Sequence, residues 1–170
     1  PINTADSSGR LMLNVLLSFA QFEREMIADR TRDKMSAARR KGKWTGGHPP
    51  LGYRVHEEGR RLVVDEDEAA MLREIFALYL DRRSLIAVAE ELNRRGWVTK
   101  RVGGLGGQPW SKTRVHHVLT NATCTGRVEH RGQIYPGEHD AILDVATFDR
   151  VQELLAGNSA GGGARAKNRY

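Results

Sequence analysis

Residues 11–43 read LMLNVLLSFAQFEREMIADRTRDKMSAARRKGK, apolar in the first half and charged in the second. No proline interrupts the run and Gly42 is the one glycine inside it, so a continuous helix is predicted over residues 9–43. At a rise of about 1.5 Å per residue, such a helix is longer than a small domain is wide. Leu13, Leu16, Leu17, Ala20 and Ile27 follow helical spacing, while Leu11, Met12, Val15, Phe19 and Phe22 place apolar surface on other faces. A helix apolar on so many sides must be covered on several of them. An ordinary core helix is one reading. The segments around it are too polar to enclose it, which points instead to self-association with partner subunits.

The whole chain has 170 residues, 39% of them hydrophobic, enough for one average domain or for two small ones beside the helix. Its net charge of +6 implies an acidic partner, either nucleic acid or an anionic membrane surface. Residues 11–22 include Asn14, Ser18 and Gln21, are too short to span a bilayer, and follow no signal-peptide pattern. A soluble cytoplasmic protein without a membrane partner is expected. The single Cys124 excludes an internal disulfide and a multi-cysteine zinc site. The start at Pro1, without Met, suggests a fragment.

Beyond the helix, the turn-forming residues 44–52 (WTGGHPPLG), with Lys43 as a basic flank before them, read as an extended linker, residues 53–156 as a compact domain, and residues 157–170 as a flexible basic tail. Strands are predicted at 53–55 and 61–64 around Glu57, Glu58 and Gly59. Asp65, with Glu68 three residues on as in a capping box, opens a helix whose stripe is Ala69, Leu72, Ile75, Phe76 and Tyr79. The acidic residues clustered there suit the positive end of a helix dipole, so no metal site is assigned. Ser84 opens a second helix with Leu85, Val88, Ala89 and Leu92 at i, i+3, i+4 and i+7, closed by residues 93–96. Residues 97–109, with four glycines, read as a flexible wing, longer than the usual turn of a helix-turn-helix. Ser111 caps a third helix, with Trp110 and Val115 placed as a hydrophobic staple. A hairpin at 125–128 and 133–135 turns at Arg131 and Gly132, and Asp144 caps a last helix bearing Phe148, Val151, Leu154 and Leu155. The predicted fold class is mainly α with small β-hairpins (α+β): a long N-terminal helix, then a helix-turn-helix-like domain.

Between residues 94 and 131 lie Arg94, Arg95, Lys100, Arg101, Lys112, Arg114, Arg127 and Arg131 against the single acid Glu129. A solvated basic surface would account for such a run. Its coincidence with a capped helix and a glycine-rich basic loop is what a protein needs to lay a helix in the DNA major groove and neutralise phosphates beside it. On that reading Arg114, with its planar fork, is the candidate guanine contact, and Thr113 and His117 are weaker base or phosphate contacts. Lys112, Lys100 and Arg101 would hold phosphates, as would Arg127 and Arg131 from the hairpin. Arg39, Arg40, Lys41 and Lys43 would bring the end of the long helix to the DNA backbone. The adjacent His116 and His117 point apart on a helix and make no metal face, and no nucleophile, base and oxyanion set can be assembled.

The run SFAQFEREMIADRT at 18–31 followed by AARRKG at 37–42 resembles the long helix of serine recombinases. PPLGY at 49–53, Leu78-Tyr79, AEELNRRG at 89–96, Trp110-Ser111 through Asn121, and Gly126-Arg127-Val128 through Gly137 are similar to the recombinase domain of large serine integrases. The resemblance spans about residues 9–156. It implies site-specific recombination through a phosphoserine link to DNA, without metal or nucleotide cofactor. The family's nucleophile lies in a Tyr-x-Arg-x-Ser motif near the start of an amino-terminal domain, and these residues contain no such motif, so the chain by itself is not expected to cut DNA. Glu23 and Arg24 match the Glu-Arg pair that flanks the family active site. That match implies an auxiliary role in which Arg24 holds the scissile phosphate and Glu23 tunes the assembly interface. A freestanding helix-turn-helix-like regulator is the alternative reading of the same residues.

Overall fold

The computed structural model describes residues 7–56, 58–59 and 61–165, the last seven of these, 159–165, by backbone alone. The chain divides into two units, Pro1–Ala38 and Arg39–Tyr170. Helix α1 spans Ser7–Arg40, 34 residues and so about 50 Å, and its last two residues belong to the second unit. None of its residues is buried, and Leu11 and Phe19 are about two-thirds exposed. The helix stops three residues before the predicted end. Gly42 takes φ +75°, its N–H donates to the Arg39 carbonyl at 2.9 Å, and a Cβ built there would lie 2.1 Å from the Pro136 carbonyl oxygen. Only glycine fits that left-handed turn pressed on a backbone oxygen.

The second unit is mainly helical with two small antiparallel hairpins. Strands β1 (Tyr53–Val55) and β2 (Leu62–Val64) pair with Tyr53 opposite Val64. Glu57, expected in their turn, lies outside the described residues. Helices α2 (Glu66–Arg82), α3 (Leu85–Arg94) and α4 (Lys112–Leu119) follow, then a short 3₁₀ turn at Ala122–Thr125 that sequence periodicity is too brief to reveal. Strands β3 (Arg127–His130) and β4 (Gln133–Pro136) form the second hairpin, and α5 spans Val145–Arg165.

The predicted apolar stripes converge on one core. Leu72, Ile75, Phe76 and Tyr79 of α2 meet Val88 and Leu92 of α3, Val115 and Leu119 of α4, and Phe148 and Val151 of α5. Burying each of these large side chains contributes about 1.5–3 kcal/mol, which is what assembles four short helices. Trp44 and Leu51 also pack against this core and Tyr53 is fully buried, so residues 44–52 are seated on the second unit rather than extended away from it. At the other end, α5 continues past Gly157, where a tail was expected. The Asn158 side chain donates to the Tyr79 hydroxyl at 3.2 Å and to the Arg83 carbonyl at 3.0 Å, tying that turn to the end of α2. Residues 166–170 of the expected tail lie outside the described residues.

Candidate nucleic-acid interface

Helix α4 carries the candidate contacts, and it is held at both ends. The Ser111 hydroxyl accepts from the Arg114 N–H at 3.4 Å, a long cap, while Trp110 before it and Val115 within it are both buried, as a hydrophobic staple requires. Asn93, at the end of α3, grips the same entry from outside. Its Oδ1 accepts from the Trp110 N–H at 2.7 Å and its Nδ2 donates to the Trp110 carbonyl at 2.9 Å. At the far end the Gln152 amide of α5 donates to the Leu119 carbonyl at 2.7 Å. In the sequence Asn93 is only part of a helix stop and Gln152 carries no signal, because both act across long gaps in the chain.

With its apolar side against the core, α4 exposes Lys112, Thr113, Arg114, His116 and His117. The Arg114 Nη1 donates to the Pro109 carbonyl at 2.6 Å, which orients the guanidinium and leaves its other N–H groups for a ligand. The preceding loop, expected as a flexible wing, closes into a hairpin. Thr99 and Gln108 pair at 3.0 Å and Val102 bridges Leu105. Its glycines make a tight turn: a Cβ at Gly106, where φ is +92°, would lie 1.8 Å from the Lys100 carbonyl oxygen. Arg101 is exposed on this loop.

Three of the cations counted from sequence are neutralised by acids outside the counted window. Arg94 forks onto Glu91 at 2.7 and 2.9 Å, and Arg95 bridges Glu91 at 2.7 Å and Glu74 at 2.8 Å. The arginines, Arg94 first, hold the Glu91 carboxyl down to about 2. Lys100, expected on a phosphate, turns inward: its ammonium lies 2.5 Å from Glu68 Oε2, 2.5 Å from the Tyr53 carbonyl and 3.4 Å from that of Pro50. Glu68 in turn accepts from the Gly52 N–H rather than closing the expected capping box on Asp65.

A second cluster of positive charge forms where the chain enters the unit. Arg39, partly buried, donates from Nε to the Thr45 hydroxyl at 2.9 Å, and Arg40 is exposed. Arg131 sits at φ +53° in the β3–β4 turn with Gly132 at φ +75°, the two left-handed positions of a type I′ hairpin. Partial burial, then the charges of Arg131, Arg39 and Arg40, hold the His130 imidazole below its ordinary range. Those three arginines therefore share one neighbourhood. Arg127 is half-buried on β3, and Lys43 lies 3.7 Å from Glu138. Two clefts of about 390 and 550 Å³ adjoin α4 and share Trp44, His117, Asn121 and Thr123. The first reaches Arg39 and Lys43, the second Trp110 and Arg114. Glu23 and Arg24 are exposed on α1. Cys124 is buried, its thiol pushed up to about 12 by burial, which removes it as a nucleophile. Among the described residues no three His, Cys, Asp or Glu side chains gather as metal ligands, and no helix is long and apolar enough to cross a membrane.

The profile of the family described as Recombinase matches residues 66–158, more than half of the chain. The chain belongs to the recombinase family. Residues 1–44 match a second profile, described as Resolvase, N terminal domain. The chain is 28% identical over 135 residues to a protein of Bacillus subtilis (strain 168) described as "Putative DNA recombinase", covering 76% of this chain and 26% of that protein. It is 31% identical over 93 residues to the Transposon Tn917 resolvase of Enterococcus faecalis, covering 49% of each. The chain thus spans about a quarter to a half of the length of these relatives. In fold it is similar to a solved structure described as an LSR-DNA complex, with a TM-score of 0.61, 24% identity, and coverage of 75% of this chain and 38% of the other. Membership in this family weighs against the freestanding regulator.

Proposed function

We propose that this recombinase chain is the DNA-binding portion of a site-specific serine recombinase. It grips double-stranded attachment-site DNA while a serine outside these 170 residues cuts and rejoins the strands. The observation that carries this reading is α4, a short helix fastened at both ends that presents Lys112, Thr113, Arg114 and His117 outward on a member of the recombinase family. In this role Arg114 reads a guanine and Thr113 and His117 make weaker base or phosphate contacts. Lys112, Arg101, Arg127 and Arg131 neutralise phosphates, joined by Arg39, Arg40 and Lys43 at the chain's entry into the unit. Relatives described as a recombinase and a resolvase support strand exchange, and the similar structure described as a DNA complex supports duplex DNA as the partner.

The segment 1–43 then serves assembly through α1. The apolar faces of α1 pair subunits, Arg24 reaches toward the scissile phosphate and Glu23 tunes the interface. The test is binding to a cognate attachment site selected from random duplexes. Arg114→Ala should cost about 1–3 kcal/mol and relax preference at one base position. Unchanged affinity and preference would remove Arg114 as the reader. With about 6–10 phosphate contacts, affinity should fall about 10³- to 10⁵-fold between 50 and 200 mM salt. In a longer protein that includes the upstream segment, a serine-linked DNA adduct should be captured on the same site.

A further inference from the structure

Lys100 was expected to touch DNA, and its surroundings assign it different work. Its side chain is 14% exposed and that of Glu68 is 26% exposed. The ammonium has three N–H donors and finds three acceptors: Glu68 Oε2 and the Tyr53 carbonyl, each at 2.5 Å, and the Pro50 carbonyl at 3.4 Å. The same Glu68 oxygen accepts from the Gly52 N–H at 3.0 Å. One ion pair thereby touches three residues of the 50–53 segment. It joins that segment to the first turn of α2 through Glu68 and to the loop that leads into α4 through Lys100.

We propose that Lys100 and Glu68 form a clamp that positions the entering segment against α4, with Lys100 acting as a positioning residue rather than a phosphate contact. The proposal rests on the DNA-binding reading for its consequence and not for its geometry. A mostly buried ammonium with every donor engaged has no N–H to offer a phosphate without breaking the clamp. What the clamp sets is the width of the cleft between Trp44, His48 and Pro50 on one side and Thr113, Arg114 and His117 on the other. It therefore fixes the spacing between the entering segment and the cations on α4. Sequence could not show this, since Lys100 stands beside Arg101 in a glycine-rich basic loop and 32 residues separate it from Glu68.

The experiment uses the full 170-residue chain, with Lys100→Met, which keeps the aliphatic stem, Lys100→Arg, and Glu68→Gln. Hydrogen–deuterium exchange without DNA should show the amides of residues 51–53 exchanging roughly tenfold faster in Lys100→Met and Glu68→Gln, with the core amides of α3 and α4 unchanged. Lys100→Arg should restore protection. Exchange rising equally through α3 and α4 would mean a general structural role, and unchanged exchange at 51–53 would mean no clamp. Either result overturns the proposal. On a random-sequence 40-base-pair duplex, Lys100→Met should weaken binding with the slope of log affinity against log salt unchanged. A slope reduced by about 0.9 would make Lys100 a phosphate contact and overturn the proposal. Failure of the wild-type chain to bind the duplex would remove the DNA reading, and the exchange measurement would still decide the clamp.

Discussion

At the scale of single residues, the chain depends on positions whose chemistry has no substitute. Gly42 ends α1 in a left-handed turn directly against the Pro136 carbonyl, whereas Gly132 takes a similar φ with open space around it. Gly132→Ala should therefore cost only the backbone strain, about 1 kcal/mol. Gly42→Ala adds a clash with a backbone oxygen that cannot swing aside and should cost about 3 kcal/mol or more, read as a fall in the urea midpoint. Glu91 yields a second prediction. Arg94 and Arg95 lower its carboxyl from an ordinary value of 4.5 to about 2. The favourable ionisation is present in full above pH 4.5 and is lost as pH falls from there toward 2. Glu91→Gln should flatten the decline of stability in that window, as followed by denaturation at stepped pH. The types of these residues are plain in the sequence. That Glu91 pairs with Arg94 and Arg95, three and four residues on along the same helix face, is legible too, whereas Gly42 meeting Pro136 and Glu74 reaching Arg95 are not, because those partners come from other elements.

At the scale of elements, local chemistry sets most boundaries. Asp65, Ser84, Ser111 and Asp144 were each expected as caps, and each side chain accepts the backbone N–H three residues on. The bonds differ in quality, and so should their worth. Asp144 holds the Thr147 N–H at 2.8 Å and the Thr147 hydroxyl at 2.7 Å, while the Ser111 cap is 3.4 Å long. Asp144→Ala should cost about 1–2 kcal/mol and Ser111→Ala nearer 0.5 kcal/mol, in thermal or urea unfolding. The backbone N–H of Thr147, and next its hydroxyl, also hold the Asp144 carboxyl below its ordinary value, so the advantage of that cap is lost at low pH. Element ends were less legible where a distant residue intervenes. Helix α1 stops at Arg40 because of Gly42 and β4, and α5 outruns Gly157 because of Tyr79 and Arg83.

At the scale of the whole molecule, apolar surface is used in two different ways. In the second unit Phe76 is fully buried, so Phe76→Ala should destabilise by about 3–5 kcal/mol. Phe19 on α1 is 64% exposed, and Phe19→Ala should leave unfolding within about 0.5 kcal/mol. On the proposed assembly role, Phe19→Glu should weaken self-association, measured by sedimentation at rising protein concentration. The sequence by itself determined the helices, both hairpins, the caps and the apolar stripes, because each is written in neighbouring residues through periodicity, capping chemistry and turn residues. It also carried the family, through motifs in order along the chain. Only the tertiary structure decided which cations remain available. Lys100 and Arg95 look alike in sequence to Lys112 and Arg114, but the first two meet Glu68 and Glu74 on α2, far away in the chain, and the last two face outward. Charge along a chain is a local property, whereas its neutralisation depends on what folding brings within about 3 Å. The basic face is therefore smaller and more directed than a count of its lysines and arginines implies.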